Sequence, residues 1–538
     1  MGTRSYLLSV PSEILRIILE FTLLVGNLPN VALTCRTLRP LATELLHKTI
    51  TINISFSGFY IYQIESLLQS NHSGLKFLKD LRIQDQYNYD EGEYPEGISL
   101  DYVASFGRSV MEMHLRLLLR RLYIGQLREF HILTHREDAV KTIPNIFLSQ
   151  LTGVKHLSLP GEVIRNSDWI TDPKTTPKGL VSLRITNICS SQDFVRLWQI
   201  LEKNVDSLGT LYLSSDFKHG EIIGMLLSLN SIDPVFHFDL KDLMPELLAM
   251  RTSLNLTNLQ HLRIRGIPNL QAVRNISCDD LFNLHNLQTL RLDSCAAADD
   301  FLLEIGKHQL APNLRSLQLF GSCYSATLNE VIPLLQPLET LYLRPHYKSY
   351  GATQEELSFS ILDYHKGNLR RVWLEDPKVV TRSSDTVAAA GSSKLEIGNF
   401  PEVEELSALL ENGNEFGSLD LPINTRLLRI LDSFPPSRFG IDGLAEISLT
   451  VIKRHIGRLN GQKPALSVVS LGPYRPFLDT KAFISEDTRV KFLVKYDEDK
   501  DMGWCPVLTE VDTKEVEKKF PEFDIVHSER PEGPWRPV

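Results

Sequence analysis

A short apolar pattern recurs along most of this chain. It reads Φ-x-x-Φ-x-Φ, where Φ is an apolar residue. Its copies begin at Leu78, Leu127, Val154, Leu180, Leu208, Leu259, Leu287, Leu314, Leu338 and Leu369. From Leu127 onward most copies start 24 to 31 residues apart, and the one long step, of 51 residues, is close to two repeats. The spacing predicts an internal repeat with one irregular copy near 235–238.

Each copy predicts a strand followed by a helix. Alternation at the end of the pattern sends two side chains into a core and one outward, which is typical of a strand. Between two copies, residues 190–207 carry apolar side chains at helical spacing with polar flanks. Because a single strand–helix unit cannot bury its own apolar face, the units have to stack. The expected fold is an α/β solenoid.

The repeats resemble the leucine-rich-repeat family. The copy that begins at Leu287 is followed by Cys295, which stands where that family places Asn or Cys. Most other copies have a different residue at the equivalent position: Glu162, Asp216, Ile267, Ser322, His346 and Pro377. The loop that satisfies backbone groups in the family is therefore expected to be irregular here.

The domain organisation follows from where the pattern is regular. The resemblance implies a leucine-rich-repeat horseshoe of strand–helix units over 51–475, clearest over 75–380 and degenerate after 380. Candidate worn copies lie at Lys394–Ile397, Leu427–Leu431 and Leu466–Leu471. Residues 476–538 are expected to form a C-terminal cap, as a hairpin or a helix, and then a tail.

The first fifty residues have a different pattern. Pro11, Ser12 and Glu13 form a helix-start signal, after which apolar residues recur at helical spacing up to Gly26. Two further short apolar sets follow. Three short helices bury little apolar surface. Residues 1–50 are therefore predicted to keep an apolar face that a partner or a neighbouring domain covers.

This N-terminal segment resembles the F-box, a helical module that docks on the adaptor of a ubiquitin ligase. The family pattern is matched at Pro11, Glu13, Ile14, Leu15, Ile18, Leu19, Leu33, Cys35, Arg36, Arg39, Leu41 and Ala42. Two positions depart from it but stay apolar: Val10 where Leu is usual, and Leu38 where Trp is common. The resemblance implies adaptor contacts through Val10, Pro11, Ile14, Leu15, Ile18, Leu28 and Leu33. The alternative is a helical cap that only closes the solenoid.

Composition narrows the class of protein. The formal net charge is −9 and the pI is near 6.0, which argues against a general nucleic-acid binder because phosphates require excess Lys and Arg. The six cysteines are scattered without a CxxC pair, which predicts free thiols in a reducing compartment. No signal peptide and no run of 18 uncharged apolar residues is found. We expect a protein of the cytoplasm, the nucleus or both, without membrane contact.

Catalytic motifs are not found in the sequence. It has no GxGxxG, Walker A, HExxH or GxSxG. His131 and His135 have the spacing of zinc ligands on a helix, but the repeat pattern places His131 in a strand. We therefore expect no catalytic residue, no metal and no cofactor. An enzyme with an unrecognised site on the repeat loops is the least favoured of three hypotheses.

The outward side chain of each Leu-x-Leu predicts the binding face. Together with neighbouring arginines, it gives Arg184, Tyr212, Arg263, Arg265, Arg291, Tyr342, Arg344 and Trp373. Arg, Tyr and Trp are enriched at binding hot spots, and guanidinium groups match carboxylates and phosphates. This indicates an acidic or phosphorylated ligand. The alternative is that strand positions exposed to solvent favour Arg and Tyr for propensity and solubility.

The two resemblances together imply a function. They imply a non-catalytic substrate receptor of a cullin–RING ubiquitin ligase, similar to the divergent F-box proteins with leucine-rich repeats that are common in fungi. Its N-terminal module is expected to bind an adaptor of the S-phase-kinase-associated family, and through it a cullin, while the repeats bind a protein substrate. The alternative is a leucine-rich-repeat interaction scaffold without a ligase.

Overall fold

The computed structural model describes seventeen segments of the chain. These are residues 10–24, 28–54, 59–69, 74–85, 113–133, 151–165, 176–188, 191–215, 256–266, 283–295, 298–345, 357–374, 400–410, 421–432, 440–473, 490–499 and 503–523. The chain divides into two compact units. Unit 1 comprises Met1–Asp216 with Asp242–Asn258, and unit 2 comprises Phe217–Lys241 with Leu259–Val538.

Unit 1 begins with helices and continues as a parallel sheet. Its helices are α1 (Ser12–Leu24), α2 (Leu28–Thr34), α3 (Arg39–Lys48), α4 (Phe59–Leu68), α5 (Gly161–Arg165) and α6 (Ser191–Glu202). Residues 113–120 are also helical. Its strands are β1 (Thr49–Ile54), β2 (Asp80–Asp85), β3 (Glu129–Leu133), β4 (His156–Pro160), β5 (Ser182–Thr186) and β6 (Thr210–Ser214). Consecutive strands pair in parallel, in sequence order.

Unit 2 continues the same repeat and ends differently. Its strands are β7 (His261–Arg265), β8 (Thr289–Asp293), β9 (Ser316–Phe320), β10 (Thr340–Arg344), β11 (Arg371–Leu374), β12 (Glu405–Leu410), β13 (Leu427–Asp432), β14 (Val468–Pro473), β15 (Val490–Asp499) and β16 (Gly503–Val511). Its helices are α7 (Ala298–His308), α8 (Ser325–Val331), α9 (Gly440–Arg458) and α10 (Thr513–Lys519). Strands β7 to β14 are parallel in sequence order, whereas β15 and β16 form an antiparallel hairpin.

The predicted repeat is confirmed as an α/β repeat with a mostly parallel sheet. Every predicted copy begins two residues before one of the strands β2 to β11. The inward residues stack in register, as Leu81, Phe130, Leu157 and Leu183 do, and all four are fully buried. Burial of one such side chain stabilises the fold by about 1.5–3 kcal/mol. The apolar ladder thus holds the repeats together.

A repeated pair of hydrogen bonds fixes the register between strands. The carbonyl oxygen of Lys79 accepts from the backbone N–H groups of Arg128 and Glu129, at 2.8 and 3.0 Å. The carbonyl oxygen of Arg128 accepts from Lys155 and His156 in the same way, at 2.7 and 3.1 Å. Equivalent residues of successive repeats therefore occupy equivalent places on the sheet.

The degenerate region contains more strands than the sequence predicted. Two of the worn copies lie in β13 and β14. Strand β12 was missed, because its copy runs from Val403 through Leu406 to Ala408 and ends in a small residue. Lys394–Ile397 and the irregular copy near 235–238 lie outside the described residues.

Cys295 and Ser322 satisfy backbone groups in successive repeats. The Cys295 thiol contacts the carbonyl oxygens of Ile264 and Asp293, both at 3.4 Å. The Ser322 hydroxyl donates to the carbonyl oxygen of Leu292 at 3.0 Å and accepts from the Cys295 N–H at 3.1 Å. Serine thus replaces the Asn or Cys of the repeat pattern here, because its hydroxyl can both donate and accept.

Within the described segments, Cys35, Cys295, Cys323 and Cys505 form no disulfide, as predicted. Cys189 and Cys278 lie outside these segments. In the same part of the chain, no helix has the length and the apolar character needed to cross a membrane.

Candidate functional site

The N-terminal helices pack around a small apolar core. Leu19, Leu28, Ala42 and Leu45 are buried against one another, and Leu15 is buried as well. The sequence assigned Leu15 and Leu28 to adaptor contact. Their place in the interior gives them a packing role instead, because a side chain that is covered by its own chain has no surface left for a partner.

The outer face of α1 carries an apolar patch. Ile14, Ile17 and Ile18 are 46%, 49% and 39% exposed, and their spacing places them on one side of the helix. We call these three residues the N-terminal apolar patch. On α2, Leu33 is 78% exposed. Sequence reasoning did not single out Ile17, although its position three residues after Ile14 was a usable signal.

The remaining predicted contacts lie at the start of α1. Val10 is half-buried and Pro11 is exposed. The carbonyl oxygen of Pro11 accepts hydrogen bonds from the N–H groups of Ile14 and Leu15, at 3.1 and 3.0 Å. Pro11 therefore fixes where the helix begins, and hence which side chains α1 presents.

The predicted binding face is less exposed than the sequence indicated. Tyr212, Arg263, Arg291, Tyr342 and Trp373 project from the predicted side of the sheet but are buried. The half-buried members of the set are Arg184, Arg265 and Arg344. The expectation of solvent-facing side chains is therefore wrong for the five buried residues. Arg184 lies over the Tyr212 ring, Arg263 and Arg291 bind Asp293, and Tyr342 and Trp373 share an apolar core.

Two of the arginines are engaged by an aspartate of their own sheet. Arg263 Nη2 and Arg291 Nε lie 2.8 and 3.0 Å from Asp293 Oδ2, and all three side chains are buried. Burial by itself would raise the pKa of the Asp293 carboxyl. Arg291, Arg263 and Arg265 outweigh that effect and hold the pKa below its ordinary value. This arrangement makes Arg263 and Arg291 structural partners of a buried carboxylate.

An aromatic cluster occupies the same side of the sheet in unit 2. The rings of Phe320 and Trp373 are 5.3 Å apart at 75°, and those of Tyr342 and Trp373 are 5.6 Å apart at 54°. The guanidinium carbon of Arg429 lies 4.3 Å from the centroid of the Trp373 ring. Such edge-to-face and cation–π contacts add to the stabilisation from burial.

Residues near the C-terminal end of the described chain share an apolar core with this aromatic cluster. Val516 of α10 and Phe523 belong to the same buried core as Tyr342 and Trp373. We call residues 512–523 the C-terminal segment. Its helix is capped by Asp512, whose side chain accepts from the Glu515 N–H at 2.7 Å. The C-terminal segment therefore extends the apolar core to which Tyr342 and Trp373 belong, together with Leu427, Val468 and Leu493.

A polar cluster lies at the start of neighbouring strands in unit 1. Asp80 opens β2, Glu129 opens β3 in register with it, and His131 follows Glu129 on the same face. His131 Nε2 lies 3.5 Å from Glu129 Oε2 and 3.8 Å from Asp80 Oδ1. Arg82 Nη2 binds Asp80 Oδ2 at 2.6 Å. We call Asp80, Glu129 and His131 the carboxylate–histidine cluster, and its donor atoms have the chemistry of metal ligands.

Electrostatics favour the ionised form of Glu129. A hydrogen bond from His131 is the main cause that lowers its pKa, and His156 and Arg82 lower it further against the opposing effect of burial. The sequence suggested His131 as a metal ligand only together with His135. The usable signal was the register, because Asp80 and Glu129 hold equivalent positions in consecutive repeats.

Comparison with known proteins adds little to this description. No protein-family model matches the chain, and no curated protein matches it. Among solved structures, the chain is similar to a crystal structure of a Bacteroides fragilis protein with 13% identity and a TM-score of 0.30, covering 55% of this chain and 73% of that one. A similarity of this size carries no argument about fold or function.

Proposed function

We propose that this chain is the substrate receptor of a cullin–RING ubiquitin ligase of the SCF type, with an F-box-like N-terminal module and a leucine-rich-repeat horseshoe. The adaptor binds the N-terminal helices, and the repeats hold a protein substrate. The receptor acts by proximity, since it raises the effective concentration of the substrate near the conjugating enzyme. In this proposal the chain itself carries no catalytic residue.

The observation that carries the adaptor half is the N-terminal apolar patch. Three isoleucines on one helix face remain 39–49% exposed although the helices have a closed core of their own. Exposed apolar groups of this kind mark interaction surfaces. The patch lies on α1, the helix that carries five of the twelve residues matching the F-box pattern, from Glu13 to Leu19.

The substrate half rests on the face of the sheet that carries the arginines and aromatics. In unit 1, Arg184 is half-buried and its guanidinium carbon lies 4.7 Å from the centroid of the Tyr212 ring. In unit 2, Arg344 and Arg265 are half-buried, whereas Tyr342 and Trp373 are covered. We therefore assign first contact with an acidic or phosphorylated substrate to the half-buried arginines.

The test is binding of the full chain to a purified adaptor of the S-phase-kinase-associated family. Wild type is compared with the double variant Ile14→Asp, Ile18→Asp. A matched control is Leu117→Asp, which changes an apolar side chain that is 43% exposed on the helical segment 113–120. Because the changed side chains are exposed, circular dichroism should show folded chains in all three proteins.

The proposal expects wild type and Leu117→Asp to bind equally and the double variant to lose at least about tenfold in affinity, since each buried isoleucine contributes about 1.5–3 kcal/mol. If folded wild type does not bind the adaptor, the ligase assignment fails. The chain is then better explained as a repeat scaffold whose N-terminal helices only cap the repeats.

A further inference from the structure

The carboxylate–histidine cluster has the construction of a binding site. Its three residues come from β2 and β3, which are hydrogen-bonded neighbours, and all three project from one face because their positions differ by two residues or pair directly. One donor atom from each residue can be chosen so that all three atoms lie within 4.8 Å of one another. Three ligand atoms are thereby gathered on rigid strands, where their positions are well defined.

A second observation, independent of the cluster geometry, points to a ligand and comes from Asp80. Its side chain is almost wholly buried, and among the described residues none donates a hydrogen bond to its Oδ1 atom. Arg82 holds the other oxygen, Oδ2, from Nε at 2.9 Å and from Nη2 at 2.6 Å. A buried carboxylate oxygen that accepts no hydrogen bond destabilises the folded state, and native structures rarely contain one. Oδ1 faces His131, at 3.8 Å from Nε2.

Two of the three separations lie close to those of a zinc site. Ligand atoms at normal distances around a tetrahedral zinc ion are about 3.3–3.5 Å apart. The measured separations are 3.5 Å between His131 Nε2 and Glu129 Oε2, and 3.8 Å between His131 Nε2 and Asp80 Oδ1. An ion at the centre would need only small side-chain adjustments to reach all three atoms.

The charge balance also favours a cation. Two carboxylates face one guanidinium group, that of Arg82, and His131 can bind a metal in its neutral form. Arg82 engages the outer oxygen of Asp80 and thereby orients the inner one, as groups around a metal site orient its ligands. His156 of β4 pairs in register with Glu129 and therefore lies next to the cluster.

We propose that Asp80, Glu129 and His131 form a zinc-binding site in unit 1. Imidazole with two carboxylates is a donor set that suits zinc, and three protein ligands leave a fourth position open for water, His156 or a group of a bound partner. The proposal does not depend on adaptor binding, because the cluster and the N-terminal apolar patch share no residue.

The experiment uses the untagged full chain after dialysis against a chelator. Zinc is titrated by calorimetry, and bound metal is counted by mass spectrometry after gel filtration. The variants are His131→Ala and Asp80→Asn, the second of which keeps the size of the side chain. The control is His285→Ala, an exposed histidine of unit 2. Circular dichroism reports whether each chain is folded.

We expect one zinc ion per wild-type chain, unchanged in His285→Ala. Each cluster variant should bind zinc at least about tenfold more weakly than wild type, since loss of even an outer-shell partner typically costs that much. Absence of binding to wild type overturns the proposal, and so does equal binding by wild type and Asp80→Asn. If His131→Ala does not fold, Asp80→Asn alone decides the question.

Discussion

Arg426 and Glu522 connect the last described residues of the chain to the repeat sheet. Arg426 Nη2 donates to Glu522 Oε1 at 2.7 Å, and the guanidinium carbon of Arg426 lies 5.1 Å from the ring centroid of the neighbouring Phe523. Arg426 immediately precedes β13. The C-terminal segment is thus attached to the sheet beside β13.

Replacement of Phe523 by alanine should undock the C-terminal segment. Phe523 is fully buried, and a Phe→Ala change in a core costs about 3–5 kcal/mol. We expect faster amide hydrogen exchange in residues 512–523 and in β13, whose Leu427 belongs to the same buried core, measured by mass spectrometry.

Glu522→Ala is the matched control for this change. Both members of its ion pair are more than a third exposed, and such a pair contributes about 0–1 kcal/mol. Hydrogen exchange should therefore change little. If Phe523→Ala leaves exchange in β13 as slow as in wild type, then the segment does not protect this strand.

Removal of the Asp293 charge should destabilise unit 2. Asp293→Ala leaves Arg263 and Arg291 buried without the carboxylate that they share, and breaking a buried ion pair from one side costs about 3–5 kcal/mol. The measurement is the thermal midpoint at neutral pH. Asp363→Ala, at an exposed aspartate of the same unit, should leave the midpoint nearly unchanged. Equal midpoints for wild type and Asp293→Ala would show that the arginines find other partners.

The interaction of Asp293 with these two arginines predicts a loss of stability in acid. Because the folded-state pKa of Asp293 is lowered, its contribution is fully present above the unfolded value, near 3.8, and is lost as the pH falls through the folded value. The difference in thermal midpoint between wild type and Asp293→Asn should therefore be constant from pH 7 to pH 5 and shrink below about pH 4. A difference that stays constant down to pH 2 would contradict this.

Because of His455, the protein should lose stability as the pH is lowered from 6.5 to 4. It is buried in α9, and within the described residues neither ring nitrogen has a hydrogen-bond partner. Burial, with a smaller contribution from Arg458, lowers its pKa from 6.5 to about 4. As the pH is lowered below 6.5, the unfolded chain takes up a proton on this histidine, whereas the folded chain does so only near pH 4. The free energy of unfolding therefore decreases as the pH is lowered through this interval, by roughly 3 kcal/mol.

His455→Leu should remove that dependence. The thermal midpoint of this variant should change less than that of wild type between pH 7.5 and pH 4.5, and His308→Ala, at an exposed histidine, should behave as wild type does. If His455→Leu and wild type lose stability in parallel, another group titrates in this interval.

On each strand, the sequence predicted the environment of the inward-facing positions better than that of the outward-facing ones. Inward residues such as Leu290 and Leu317 were placed correctly, because their burial depends on strand alternation and on stacking of like repeats. Outward residues such as Tyr342 were placed on the correct face but expected in solvent. Tyr342 is buried in an apolar core with Phe320 and Trp373, and this core includes residues far away in the chain that have no recognisable pattern.

The candidate sites show the same division. The sequence by itself determined the repeat period, the strand positions and the apolar helix at the N-terminus, since these follow from local spacing of apolar side chains. Only the tertiary structure decided that Ile17 is exposed while Leu28 is buried, and that Asp80 meets His131 across two strands. Such outcomes depend on which distant residues pack together, and that is set by the packing of the N-terminal helices and by the register between β2 and β3.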